Sequence, residues 1–344
     1  NISYSELKDL NSIDLISSKL NGNIKVNFKN SFNRETILIT GGGGSIGSEL
    51  SRQIAQSFNS KIYILDINEY NLYKIEDDIN NLTKNINKKN VDIKFILFDL
   101  KKHTDLSDLI KDIKPTIIFH AAAYKHVPIV EDNALIGLEN NFLTTVHLLD
   151  LAIKFDVNKF IFISTDKAVR PNNIMGVTKR LCEIYVKHIS NKYNKNYSIV
   201  RFGNVVGSSG SVIPQFINQI KKGGPLTVTD PEVTRYFMTI PDAASLIINV
   251  NFISKGGEVF VLDMGKPIKI LDIANHMKSL AYSISNGNYT KGEIDIIYTG
   301  LRKGEKMHEE VFFDENPIKT KNNKIFVSLE KNEKEIDIIK TIID

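Results

Sequence analysis

Short runs of β-branched and apolar residues alternate with longer amphipathic stretches through the first two-thirds of the chain. Thr36–Thr40, Lys61–Leu65, Ile93–Phe98, Thr116–His120, Phe160–Ser164 and Ser198–Phe202 read as strands, with helix-length segments between them. That alternation implies right-handed βαβ units, and hence an α/β fold: a doubly wound parallel sheet with helices on both faces. Residues 1–35 are rich in Asn and Ser and read as an amino-terminal helical arm, Tyr4–Leu20. From Asn204 onward the alternation loosens, with Gly and Pro punctuation at Gly207–Gly210, Gly223–Pro225, Pro231, Pro241 and Pro267. The pattern therefore predicts a sheet domain over 36–203 and a smaller lobe over 204–344, with some chain crossing back to the sheet.

Composition narrows the class. A chain of 344 residues, 42% hydrophobic, can bury a sizeable core. Its 44 Lys+Arg against 40 Asp+Glu leave a formal charge of +4, which calls for neither nucleic acid nor a membrane surface. One cysteine cannot form an internal bridge, which fits a reducing compartment, so a cytoplasmic setting is expected. No apolar stretch approaches the roughly 18 residues of a membrane span. The chain begins at Asn1 rather than Met, as a domain trimmed from a longer parent would.

The first chemical signal follows the first strand. Thr40-Gly41-Gly42-Gly43-Gly44-Ser45-Ile46-Gly47 opens an apolar-periodic segment through Leu50, Ile54 and Phe58. Glycines at 41, 44 and 47 let a backbone approach a pyrophosphate, whose charge the following helix amino terminus, at Ser45 and Ile46, would hold. The next strand leads into Asp66, about twenty residues on, where an acid binds ribose hydroxyls and repels a 2′-phosphate. This is the fingerprint of a Rossmann domain, and it favours NAD over NADP.

The G-x-x-G-x-x-G spacing resembles that of the extended short-chain dehydrogenase/reductase superfamily, whose members act mostly on nucleotide sugars. Asp99-Leu100 resembles the superfamily's adenine-contacting pair, and His120-Ala121-Ala122-Ala123 its small-residue motif beside the cofactor riboses. Asn141 stands where the superfamily has an Asn that orders the central strands, with Thr144 replacing the usual Gly three residues later. The superfamily also pairs a Ser or Thr at the fifth strand with a Tyr-x-x-x-Lys helix. Here Lys179 is present, but Met175 occupies the tyrosine position and cannot exchange a proton.

Thr165-Asp166-Lys167, at the end of the fifth strand, supplies an acid and an amine instead. This arrangement resembles the configuration-retaining, membrane-anchored UDP-N-acetylglucosamine 4,6-dehydratases of bacterial polysaccharide and protein-glycosylation pathways. The likeness extends to HAAAYKHVP (120–128), ISTDKAVRPNNIMGVTKR (163–180), RFGNVVGSSGSVIP (201–214), VLDMGKP (261–267) and GLRKGEK (300–306). It implies NAD-dependent oxidation at C4, elimination of water across C5 and C6, and hydride return to C6. In that scheme Lys167 is the C5 base with a pKa lowered toward neutrality, Asp166 the acid at the C6 oxygen with a raised one, and Thr165 the partner of the C4 oxygen. The base for the C4 hydroxyl stays open between Asp166 and a water.

For the UDP-sugar, the resemblance points to Arg235 and Arg302 on the diphosphate, where a guanidinium donates in a fork. It places Glu305 on the uridine ribose, Asn204 between sugar and phosphate, Val212 at the uracil and Lys125 beside the substrate. A homodimer formed through Asn133–Phe155 and Asn172–Tyr193 is expected, as is a longer parent anchored at the inner membrane with this domain on the cytoplasmic side. No metal ligands are expected. A C4 epimerase or reductase and a non-catalytic dinucleotide sensor are the competing functions; Met175 opposes the first, and Asp166 with Lys167 opposes the second.

Overall fold

The computed structural model describes residues 32–57, 60–84, 92–284, 294–313 and 317–330, with 336, 337, 339 and 342. The arm expected over Tyr4–Leu20 lies outside them. The sheet half runs β1 (Thr36–Thr40), α1 (Ser45–Ile54), β2 (Lys61–Asp66), α2 (Glu69–Lys84), β3 (Asp92–Leu97), α3 (His103–Ile113) and β4 (Ile117–His120). It continues through α4 (Val127–Asp132), α5 (Ala134–Leu138), a π-helical turn (Glu139–Leu143), α6 (Thr144–Lys154), β5 (Lys159–Ile163), α7 (Ile174–Tyr193) and β6 (Asn196–Arg201). All six expected strands are present, with ends shifted by at most two residues.

These six strands pair in parallel in the order β3-β2-β1-β4-β5-β6. Every residue of the central β4 is buried, whereas edge strand β3 alternates, as double coverage at the centre requires. One face packs Ile37, Ile39, Ile62 and Ile64 against Leu50 and Ile54 of α1. The other packs Leu38, Phe160 and Phe162 against α3, α6 and α7. Between β1 and β4 the strand order reverses, and ligands of open α/β sheets bind in the crevice at such a point.

The rest of the chain is β7 (Asn204–Val205), α8 (Val212–Lys221), β8 (Leu226–Val228), β9 (Thr234–Arg235), β10 (Phe237–Met238), α9 (Ile240–Ile253), β11 (Val259–Leu262), β12 (Ile268–Lys269), α10 (Ile270–Ile284), β13 (Ile296–Tyr298), β14 (Ile318–Lys319) and β15 (Ile325–Ser328). It does cross back. α9, capped by Thr239 and begun with Pro241, covers the α1 face of the sheet, and β11 extends β6 in parallel. β15 and β14 add antiparallel strands beyond it, making nine. What remains is a small lobe with its own core, where Ile213, Phe216 and Ile220 of α8 meet Ile273 and Met277 of α10.

Candidate functional site

A cleft of about 1310 Å³ opens along the carboxyl edge of the sheet, between the sheet and the small lobe. Its floor at one end is the glycine turn. Gly41 takes a φ of 66°, and a Cβ there would stand 2.6 Å from Ala122 N. The Ala run after β4 is thus small because the glycine turn lies directly on it. A Cβ on Gly47 would stand 2.1 Å from Gly41 O, which is sterically forbidden. No side chain caps α1, and Gly44, Ser45, Ile46 and Gly47 line the cleft, leaving the helix amino terminus for an anion.

Asp66 closes that end. Its Oδ2 accepts from Gly43 N at 2.8 Å and its Oδ1 from Asn68 N at 2.8 Å, so the carboxylate is fixed beside the turn. Phe98 N donates to Asp66 O, which sets Asp99-Leu100 next to the end of β2. There Asp99 Oδ1 accepts from Lys101 N and Leu100 packs on the second core. Ala121 and Ala123 line the cleft, and Ala122 underlies Gly41. This cradle, in which an added Cβ would come within 3.0 Å of a neighbour at Gly41, Gly42, Gly43 and Gly47, suits a dinucleotide.

Asn141 sits in the π-helical turn. Its side chain clasps the Tyr124 backbone from both sides, accepting from Tyr124 N at 2.7 Å and donating to Tyr124 O at 2.9 Å. The widened turn frees its carbonyl for Thr145 Oγ1 and Cys182 Sγ. Because the Thr145 hydroxyl donates there, it receives the proton of His120 Nε2, while His120 Nδ1 accepts from Thr40 Oγ1 at 2.6 Å. Burial first, and Lys179 second, push His120 down to about 3, so this ring is a neutral strut.

The other end of the cleft is formed by the turn after β5. Thr165 and Lys167 line the cleft; Asp166 is fully buried beneath them. Asp166 Oδ1 accepts from the Thr165 hydroxyl at 2.8 Å and from Lys167 Nζ at 3.0 Å, and Asp166 N donates to Phe202 O. Gly203 leaves the space that Asp166 Oδ2 occupies, since a Cβ there would stand 2.9 Å from it. Lys167 Nζ also donates to Asn204 Oδ1 at 3.3 Å. Gly176 lets α7 press on the turn, its absent Cβ only 2.3 Å from Lys167 O. Met175 is buried and lines the cleft.

The two lysines behave oppositely. Burial alone lowers Lys167, but Asp166 and then Glu309 outweigh it, and its pKa lies above the ordinary lysine value. The lowered pKa expected of Lys167 is therefore not found, because the adjacent carboxylate dominates. Lys179 is the one that falls, to about 8, through burial that Cys182 and Glu183 only partly offset. It donates to Ile163 O at 2.9 Å and stands over the Phe162 ring.

Glu309 was not legible as a site residue. It is 7% exposed, its Oε1 lies 3.7 Å from Lys167 Nζ, and burial, ahead of the opposing Lys167, raises its pKa. A second unforeseen group is a buried ionic network behind β5. Ser164 donates to Glu183 Oε1 at 2.6 Å, Glu183 takes a forked pair from Arg201, and Arg201 reaches Glu330 on the far side at 2.9 Å.

Lys125, from the loop after β4, and Asn204, Val212, Arg235, Arg302 and Glu305 of the small lobe all line the cleft. Arg235 and Glu305, expected to meet different parts of a ligand, are paired with each other at 2.8 Å. Glu305 also accepts from Thr229 Oγ1 and Arg302 N, while the Arg302 side chain is exposed on the rim. The segment that carries them docks on α7: Asn173, which caps that helix, donates to Gly304 O at 2.9 Å. Among the described residues there is no cluster able to hold a metal ion, and no helix long and apolar enough to cross a membrane.

Comparison with known proteins places this architecture. The capsular polysaccharide biosynthesis protein CapD of Staphylococcus aureus is 43% identical over 278 residues, 80% of this chain and 45% of that protein. The probable polysaccharide biosynthesis protein EpsC of Bacillus subtilis is 39% identical over 306 residues, 89% of this chain and 50% of its own. The chain thus spans about half the length of these two relatives. A protein of Rickettsia bellii named UDP-glucose 4-epimerase is 34% identical over 84% of this chain and 80% of its own length. Among solved structures, Pen from Bacillus thuringiensis superposes with a TM-score of 0.74 at 29% identity, covering 88% of this chain and 90% of that one. DesIV, a dTDP-glucose 4,6-dehydratase from Streptomyces venezuelae solved with NAD and TYD bound, shares the fold with a TM-score of 0.65 at 19% identity over 80% of this chain and 87% of that one. The model of the family described as polysaccharide biosynthesis protein matches residues 37–330, and the chain belongs to that family.

Proposed function

We propose that this chain is the catalytic part of a UDP-N-acetylglucosamine 4,6-dehydratase, which removes water from the sugar and leaves a 4-keto-6-deoxy product with C5 configuration retained. The observation that carries the reading is the Thr165-Asp166-Lys167 turn, set on the cleft beside a buried Met175 where a proton-exchanging tyrosine would otherwise stand. NAD, held on the glycine turn, supplies a hydride acceptor for C4 and a donor for C6. NAD rather than NADP follows from Asp66, whose fixed carboxylate would repel a 2′-phosphate.

The chain's own residues handle protons and geometry. Thr165 Oγ1 hydrogen-bonds the C4 oxygen from the cleft wall. Lys167 Nζ exchanges the C5 proton, for which it first passes its own proton to Asp166 Oδ1, 3.0 Å away. Asp166, out of direct reach under the turn, protonates the departing C6 oxygen through Lys167 or Thr165. The C4 hydroxyl gives its proton to a water as its hydride leaves, and the C6 hydroxyl departs protonated as water. C5 takes a solvent-derived proton back from Lys167 after hydride reaches C6, so that the sugar loses one water overall. The α1 amino terminus balances the pyrophosphate charge of NAD, and Arg302, with Arg235, the diphosphate charge of the UDP-sugar.

A C4 epimerase is the second reading, favoured by the 34% identical relative that bears that name. One assay separates the two. Incubation with UDP-N-acetylglucosamine in deuterated water should give a product lighter by one water, with solvent deuterium at C5 and no net NADH, by proton NMR and mass spectrometry. A C4 epimer of unchanged mass would establish the second reading, and an unchanged sugar would defeat both.

A further inference from the structure

Among the described residues, five buried side-chain nitrogen or oxygen atoms have no hydrogen-bond partner, and two of them are carboxylate oxygens in one cluster: Asp166 Oδ2 and Glu309 Oε2. Both carboxylates belong to groups that flank a single cation. Lys167 Nζ lies 3.0 Å from Asp166 Oδ1 and 3.7 Å from Glu309 Oε1. Asp166 arrives from the sheet, one residue before the lysine; Glu309 arrives from the far end of the chain.

Glu309 is held there by a rigid mount. Thr234 N donates to Met307 O, Thr234 Oγ1 pairs with His308 Nδ1, and Arg235 Nη1 donates to Met307 O. Lys306 Nζ donates to Val169 O on the catalytic side. Its sequence neighbour Glu310 points away and is about half-exposed, pairing with Arg170. A buried carboxylate beside an exposed one in the same short segment is a placed group, because burying a charge is costly unless it is compensated.

We propose that Glu309 is a positioning residue that, with Asp166, clamps Lys167 between two carboxylates and so sets the pH at which Lys167 can give up its proton. The groups that face Glu309 are Lys167 and Asp166 from the turn after β5, Arg235 from β9 and Lys306 from its own segment. Burial raises the Glu309 pKa, and the cations bring it only partly back. Protonating Glu309 removes its negative charge from the clamp; ionising it restores that charge, and Lys167 is then held protonated most firmly. The small lobe thereby controls the charge on a residue of the sheet domain, and that control exists only when the 304–309 segment is docked.

The inference rests on Lys167 as the proton-exchanging group of the proposed reaction, but its test needs no sugar. Lys167 in the purified chain is titrated by competitive acetylation across pH, read out by peptide mass spectrometry, in the parent, in Glu309→Gln and in Glu310→Gln. Removing one opposite charge at this distance should lower the labelling midpoint of Lys167 by about one unit in Glu309→Gln and leave it in place in Glu310→Gln. The pH limb of kcat governed by Lys167 should move with it, with KM little changed. An unchanged midpoint in Glu309→Gln, or an equal fall in Glu310→Gln, overturns the clamp. Should Glu309→Gln fail to fold, Glu309→Asp draws the carboxylate back by one methylene; a smaller fall supports the clamp and none defeats it. A shifted midpoint in a protein that makes no 4-keto sugar would keep the clamp and sink the dehydratase.

Discussion

The turn after β1 and the turn after β5 leave the same edge of the same sheet, yet they are made of different materials. The first is backbone: glycines 41, 44 and 47, an uncapped helix end and close contact with Ala122. The second is ionisable side chain: Asp166, Lys167 and, from a distant segment, Glu309. A backbone site tolerates no added atom but is indifferent to pH, whereas a side-chain site tolerates shape changes but depends on who shares the proton. Binding and chemistry should therefore be separable by mutation.

The largest effect should come from the side-chain turn. Lys167→Met keeps an unbranched side chain one atom shorter and removes the amine, and should cut kcat by about 10²–10⁴-fold, the usual worth of a positioned acid–base group. NAD affinity, by calorimetry, should stay within about twofold of the parent, since no contact of the glycine turn involves Lys167. If NAD binding falls as far as turnover does, the two turns are not separable and the comparison fails.

Gly47→Ala is the reciprocal change and the next in size. Its methyl would meet Gly41 O at 2.1 Å, so the turn must open. Overpacking of this kind costs about 1–3 kcal/mol, equivalent to roughly 5- to 150-fold in NAD affinity. Gly44→Ala, whose methyl would lie 3.2 Å from the same oxygen, should lose less. At saturating NAD the pH profile of kcat in Gly47→Ala should match the parent, because the groups that titrate are at the other turn; a displaced profile would tie the two ends together.

The same contrast explains what the chain discloses before it is folded. The glycine turn and Asp66 are legible because one βαβ unit holds all their parts, and strand alternation places the unit correctly. The α/β class and six strands follow from the same local periodicity. Thr165-Asp166-Lys167 is legible as residues but not as electrostatics: neighbouring opposite charges in sequence gave no measure of how burial and Asp166 would divide, and the balance falls against a lowered Lys167. Glu309 was hidden in KGEKMHEE, a charged run that looks like a solvated turn. Nothing local distinguishes it from half-exposed Glu310; only the docking of Thr234 against His308 turns one inward. The Ser164–Glu183–Arg201–Glu330 network was invisible for the same reason, since its members come from the residue after β5, from α7, from β6 and from just past β15.

The smallest predicted effect sharpens the comparison at the side-chain turn, where partly exposed Lys167 and buried Lys179 of α7 are held on opposite sides of their ordinary pKa. Lys179 sits at about 8 in the folded chain against 10.5 for the unfolded one. Between those values the unfolded state binds the extra proton, so this group makes stability rise with pH from about 8 to about 10.5. Below pH 8 both states are charged and the full burial cost is present. Lys167 has the reverse sign: its folded pKa is raised, so its contribution is complete below the unfolded value and is lost as pH climbs through the folded one. The difference in Tm between the parent and Lys179→Met should therefore be flat from pH 6 to about 7.5 and then shift in the parent's favour toward pH 10. The difference between the parent and Lys167→Met should show no such rise in the parent's favour between pH 8 and pH 10. Calorimetric scans at half-unit pH steps would show it, and two parallel curves would mean that one dielectric environment, rather than Asp166 and Glu309, governs both lysines.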